Sequence, residues 1–173
     1  MNNIEQTLSI IKPDAVERNL EGQIKEMFLN NGFTIVQEKK IQIEKQEAEK
    51  FYKVHETKPF YNDLCAYLSS GPIAVMILEK KNAIIANREL MGSTNPKDAA
   101  EGTIRKKFGI SIDKNSVHGS DSTENAKIEI DFFFKSYKVF FLKLLDITSA
   151  LVLGFFSIRI LDYPFCLFLL FSE

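Results

Sequence analysis

Apolar positions along the chain come in short runs closed by polar punctuation. Thr7-Leu8-Ser9-Ile10-Ile11 ends on Lys12-Pro13-Asp14, which predicts a buried strand stopping at a turn, because proline cannot donate to a ladder. Leu20, Ile24, Met27 and Phe28 then recur at helical spacing as far as Asn31-Gly32, a C-terminal stop, and Phe33 to Ile43 reads as a second, β-branched strand. From Glu44 the helical period returns. Ala48, Phe51, Tyr52 and His55 fall on one stripe, and Pro59 precedes a short helix carrying Leu64, Cys65 and Leu68.

Ser70-Gly71-Pro72 punctuates the chain again, and Ile73 to Leu78 is apolar at every position, as a central strand covered on both faces must be. A helix follows over Ala83 to Met91. Gly92 to Lys114 is rich in Gly, Asn, Pro and Asp, with one helical stretch near Thr103 to Phe108, and reads as a long ordered loop of the kind that carries function. A short strand is expected near Val117. Asp121-Ser122-Thr123-Glu124 can form a capping box that opens a last helix with Ala126, Ile130, Phe133 and Phe134 on its apolar stripe. This order of elements predicts an α+β ferredoxin-like sandwich, an antiparallel sheet covered by helices.

With 173 residues there is room for one domain with a real core. Twenty-two Lys and Arg against twenty-three Asp and Glu leave a net charge of -1, so no overall basic field exists to hold a nucleic-acid backbone. The two cysteines, Cys65 and Cys166, lie far apart, and with only His55 and His118 available no zinc-like spacing arises. Such cysteine usage suits a reducing cytoplasm, and the start MNNIEQTLSIIKPD lacks the basic and apolar regions of a secretory signal. Neither Gly-rich phosphate loop, Gly-x-x-x-x-Gly-Lys-Ser/Thr or Gly-x-Gly-x-x-Gly, occurs, so phosphate would have to be held by side chains. The segment suited to phosphate chemistry is Asn115-Ser116-Val117-His118-Gly119-Ser120-Asp121-Ser122, where an imidazole at a strand edge sits just before a helix start.

Asn-x-x-His-Gly-Ser-Asp-Ser resembles the active-site signature of nucleoside diphosphate kinases. Thr7 to Pro13, Ser70 to Pro72, Asn87 to Pro96 and Gly102 to Arg105 are similar to that family in the same order, so the resemblance spans roughly residues 4 to 134. It implies the same ferredoxin-like fold and ping-pong transfer of a γ-phosphate from a nucleoside triphosphate to a diphosphate, with Mg2+. By resemblance His118 is the nucleophile, Glu129 orients its ring, and Ser120 assists beside it. Lys12, Arg88 and Arg105 converge on the phosphates, with Thr94 and Tyr52 as hydroxyl donors, while Asn115 and Lys12 meet the ribose. Phe60 stacks on the base, and Leu64 and Ile112 close a slot that reads shape. The metal is expected on the nucleotide phosphates, with no direct protein ligand and Asp121 reaching it through water. The partners implied are nucleoside tri- and diphosphates, no nucleic acid is required, and the chain is expected to form a homo-oligomer, a tetramer or a hexamer.

His55 is read as a structural histidine, and Lys39-Lys40 and Lys106-Lys107 as solvated charges. An RNA-binding module of the same fold would need aromatic-rich strands, which are absent. The remaining alternative is a family member with impaired catalysis that acts as an interaction or membrane-associated protein. It is motivated by residues 136–173, an atypical hydrophobic tail after a kinase domain at 1–135. Ile147 to Ser172 could nearly span a bilayer, yet Arg159 and Asp162 each cost roughly 2.5 to 3.5 kcal/mol mid-segment, against about 0.3 to 0.6 gained per Leu, Ile, Phe or Val. The tail therefore reads as a weak membrane anchor, a packed element, or sequence added by a shifted frame or lost stop codon, with the last preferred and membrane contact not favoured.

Overall fold

The computed structural model describes residues 4–135, and the expectations about the tail lie outside the described residues. Strand β1 runs Ile4–Ile11, β2 Thr34–Ile41, β3 Ile73–Lys81 and β4 Val117–Gly119. The helices are α1 Pro13–Glu17, α2 Glu21–Asn30, α3 Lys45–Phe51, α4 Tyr61–Leu68, α5 Ala83–Met91, α6 Ile104–Phe108 and α7 Thr123–Ile130. The sheet order is β2-β3-β1-β4 with every neighbouring pair antiparallel, the ferredoxin-like α+β arrangement expected from the order of elements.

Strand alternation divides the core in two. Ala74, Met76 and Leu78 of β3 face one way, with Ile11, Val117, Ile24, Phe28, Met91, Ile104 and Phe108. Ile73 and Val75 face the other, with Leu8, Ile10, Ala48, Tyr52, Cys65, Leu68 and Phe133. The all-apolar run of β3 thus reflects burial on both faces, and a fully buried side chain such as Phe28 contributes about 1.5 to 3 kcal/mol.

Four local features differ from the sequence reading. The helix expected to carry Tyr52 and His55 on one stripe stops at Phe51, and Lys53–His55 is a 3-10 turn. The tighter turn leaves Tyr52 buried and His55 half-buried, their ring centroids still 6.1 Å apart. The last helix is capped one residue later than expected: Asn125 N donates to Ser122 Oγ at 3.1 Å, and Asp121 instead accepts from Asn125 Nδ2 at 2.6 Å. The Phe-rich end of that helix is a π-turn over Asp131–Lys135, which turns Phe133 into the core and aims its carbonyl at Lys39 Nζ, 2.5 Å away. In β2 the pairing with β3 slips between Ile35 and Gln37, leaving Val36 exposed.

Candidate active site

His118 sits in the middle of β4, opposite Ile10 of β1, so the period of two turns its ring to the face of Ile10 and Tyr52. Its neighbours Val117 and Gly119 point to the other face, where a Cβ on Gly119 would collide with Asn87 and Met91 of α5. The ring meets Phe51 edge-on at 5.4 Å between centroids and Tyr52 at 6.0 Å. Its Nε2 lies 3.2 Å from both carboxylate oxygens of Glu129, which reaches back from α7. Ser120 locks that carboxylate, since its Oγ donates to Glu129 Oε2 at 2.7 Å and itself accepts from Leu8 N at 3.2 Å. A carboxylate at Nε2 favours the tautomer protonated there, which leaves the lone pair on Nδ1. His118 is thus half-buried, held at Nε2 by Glu129 and left with its lone pair on Nδ1.

Lys12 ends β1 and caps α1, with Pro13 as the first helical residue. Its backbone N donates to Ser116 O at 2.9 Å, and its Nζ to Asn115 Oδ1 at 2.8 Å. The Asn115 amide nitrogen donates to Thr94 O and Ile112 O at 3.1 and 2.9 Å, so one buried side chain ties Lys12 to two loops. That tie uses both amide hydrogens while Oδ1 accepts from Lys12, so the side chain is held at both ends. Burial draws the Lys12 ammonium down to about 8, Arg105 presses the same way, and Asp14 and Asp113 oppose. Arg105, on α6, donates to Gly92 O at 2.9 Å and Val117 O at 3.1 Å. Burial and then Arg88 bring its guanidinium down to about 10, with Tyr52 opposing, and its Nε has no partner among the described residues. Two cations brought this close, one holding an unused donor, form a site that gains from an incoming anion.

Tyr52 is buried, and burial followed by the Glu129 charge raises its phenol, so it remains a donor. Arg88 and Thr94 are exposed, Arg88 close enough to Asp121 to act on its charge. Phe60 and Ile112 are exposed, with 50% and 56% of their surface open. Phe60 lies 6.3 Å from the His55 ring, whereas Leu64 is half-buried and packs on the core beneath. Among the described residues no three His, Cys, Asp or Glu side chains gather into a metal-sized cluster. None of their helices is long and apolar enough to cross a membrane.

The model of the nucleoside diphosphate kinase family matches residues 5–139. The chain belongs to this family. It is 57% identical to the nucleoside diphosphate kinase of Campylobacter lari over 136 residues, 79% of this chain and 99% of that one. It is 55% identical to that of Geotalea uraniireducens over the same shares. Among solved structures, the nucleoside diphosphate kinase of Aquifex aeolicus superposes with a TM-score of 0.75 at 40% identity, over 76% of this chain and 96% of that one. That of Encephalitozoon cuniculi gives 0.73 at 35% identity, over 75% and 88%. The activity is that of a nucleoside diphosphate kinase, a phosphotransferase acting on nucleotides, and the reading as an interaction protein with impaired catalysis is not favoured.

Some residues of the site carry no signal in the local pattern. Phe51 reads as core, yet its edge meets the His118 ring. Ser116, whose φ is +70°, shapes the turn before β4, and Asp14 is a buried carboxylate behind Lys12. For Ser116 the available clue was its place beside Asn115 in the matched segment, and for Asp14 its place just after the Thr7 to Pro13 block.

Proposed function

We propose that the reaction is ping-pong and runs through His118, phosphorylated on Nδ1. The observation that carries this is the Glu129 carboxylate 3.2 Å from Nε2 through both oxygens, locked by Ser120 at 2.7 Å. It keeps the lone pair on Nδ1, and the negative charge of Glu129 stabilises the imidazole as it takes on positive character during attack. A neutral ring attacks phosphorus without first losing a proton. The phosphoramidate it forms retains the transfer potential to rephosphorylate a second nucleotide.

In this reading Lys12, Arg88 and Arg105 match the charge on the transferring group, Thr94 and Tyr52 add hydroxyl donors, and Asn115 with Lys12 meets the sugar. Phe60, with Leu64 and Ile112, receives the base by its flat face, which supports broad base tolerance. Mg2+ fits as a metal held by the nucleotide phosphates, which Asp121, an exposed carboxylate held below its ordinary value first by the Asn125 amide, would meet through water. It would supply Lewis-acid neutralisation of phosphate charge. A cytoplasmic homo-oligomer, tetramer or hexamer, and a kinase domain ending at residue 135 complete the proposal. The test is a half-reaction: enzyme treated with ATP, freed of nucleotide, and given GDP should yield GTP in amounts equal to its bound phosphate. Failure to form GTP without ATP present would contradict a phosphoenzyme route.

A further inference from the structure

Behind Lys12 lies a buried polar cluster that the reaction as described does not use. Asp14, only 5% exposed, accepts Arg18 Nη2 at 2.7 Å and Ser116 Oγ at 3.1 Å on one oxygen, and the Tyr67 hydroxyl on the other. Arg18 Nε also donates to Asp14 O at 2.7 Å, and Arg18 Nη2 reaches Ser116 Oγ at 3.1 Å. Tyr67 projects from α4, and the Lys12 Nζ stands over its ring, 5.8 Å from the centroid. Burial, then the hydrogen bond to Asp14, raise the Tyr67 phenol, so it donates to the carboxylate.

Buried charge is stable only when paired, and a lysine on four rotatable bonds holds one geometry only when something fixes it. Here the phenol ring carries the cation on its face, while the carboxylate beyond its hydroxyl enriches the ring and supplies counter-charge. Ser116, gripped by the same carboxylate, accepts the Lys12 backbone N–H and precedes β4, so the cluster also fixes the spacing between Lys12 and His118.

We propose that Asp14 and Tyr67 act together as positioning residues for Lys12, seating its ammonium against Asn115 and toward the nucleotide phosphate. The inference rests on the role of Lys12 given under Proposed function. The charged groups that bear on Lys12 are Arg105 on α6, Asp113 in the loop before β4 and Asp14 on α1, with Arg18 bound to Asp14. Without Asp14 the repulsion from Arg105 is opposed by Asp113 alone.

The experiment uses the full chain with Asp14→Asn, Tyr67→Leu and Tyr67→Phe, each also combined with Lys12→Met. Calorimetric titration with Mg·ADP gives the competent fraction from its stoichiometry and the affinity separately, so partial misfolding is counted out. Asp14→Asn and Tyr67→Leu should weaken ADP about tenfold, and Tyr67→Phe, which keeps the ring face, should recover most of that loss. The alkaline limb of kcat/KM should move about one pH unit lower in Asp14→Asn. In the Lys12→Met background Asp14→Asn should change affinity less than about twofold, because the residue it positions is gone. An unmoved alkaline limb, or the same tenfold loss with and without Lys12, would overturn the positioning role while leaving Lys12 itself in place. Should Asp14→Asn bind no ADP at all, the Tyr67 pair decides: equal behaviour of Phe and Leu overturns the proposal. Normal affinity and turnover in Lys12→Met alone would overturn the Lys12 assignment together with this one.

Discussion

Gly119 lies directly against the side chain of Asn87: a Cβ on the glycine would run into the Asn87 amide and the end of Met91. The strand that presents His118 on one face is therefore pressed flush onto α5 by the other, and His118 stands on a backbone with no slack. A residue of any other kind at 119 would push β4, and His118 with it, away from α5.

Gly119→Ala is therefore expected to cost about 1 to 3 kcal/mol of stability, the usual penalty of overpacking, and to lower turnover by more than the folded fraction explains. The Asn87 amide is buried without a hydrogen-bond partner among the described residues, so Asn87→Ala alone should cost little, and combined with Gly119→Ala should restore part of the loss. Denaturant unfolding and turnover of the three variants check this. A Gly119→Ala protein as stable and active as the parent would mean that β4 is not held so tightly.

The Glu129 carboxylate is expected to matter through its charge and not its shape. Glu129→Gln preserves the size of the side chain but weakens the preference for the Nε2-protonated ring, so phosphoenzyme formation should slow on the order of 10- to 100-fold with little change in nucleotide affinity. Single-turnover quench measurements separate the two. Loss of affinity with unchanged chemistry would assign Glu129 to binding instead.

Lys12 predicts a pH dependence whose sign is fixed by its burial. Its ammonium ionises near 8 in the folded protein, below the ordinary 10.5, and only the charged form can neutralise phosphate, so kcat/KM should fall as pH rises through about 8. The unfolded chain binds the proton more tightly across the window from about 8 to 10.5, so stability should rise with pH there. For the same reason Lys12→Met should lose turnover yet unfold at a temperature no lower than the parent at pH 7, the relief of a buried charge offsetting the hydrogen bond lost at Asn115 Oδ1. A sharply destabilised Lys12→Met would contradict this reading of the site.

A chain ending at Lys135 is expected to keep full activity and to be more soluble than the complete chain. Every residue proposed for the site lies between Lys12 and Glu129, and Phe133 already closes the core on the Tyr52 side. The segment from Tyr137 to Phe171 is dominated by Phe, Leu, Ile and Val, a composition that favours association when exposed. Comparing activity in the soluble fraction of the two forms tests it, and a shortened chain that misfolds would show that the tail is an integrated element.

Much of the fold was legible because it is local. The apolar run of β3 reads as a strand covered on both faces, and the stripe of Leu20, Ile24, Met27 and Phe28 as a helix whose apolar side joins the core. The His118 segment was legible through its motif. What escaped was set by partners distant in the chain: Tyr67 meets Asp14 across 53 positions, and Gly119 must be small only because α5 arrives from elsewhere. Helix ends escaped for a different reason. Asp121 and Ser122 are both good caps, and the competition between them is decided by the path of the strand before them, which leaves Ser122 extended at φ −148° and free to accept Asn125 N.

The central claim is that His118 carries the phosphate. Protein incubated with [γ-32P]ATP, separated from nucleotide and exposed to mild acid or to mild alkali, reports it directly, because a phosphohistidine is lost in acid and survives alkali. The parent chain should hold acid-labile label that GDP removes, and His118→Ala should hold none while binding Mg·ADP and unfolding much as the parent does, since a half-buried imidazole leaves little core empty. Acid-labile, GDP-dischargeable label on the His118→Ala protein would contradict the account.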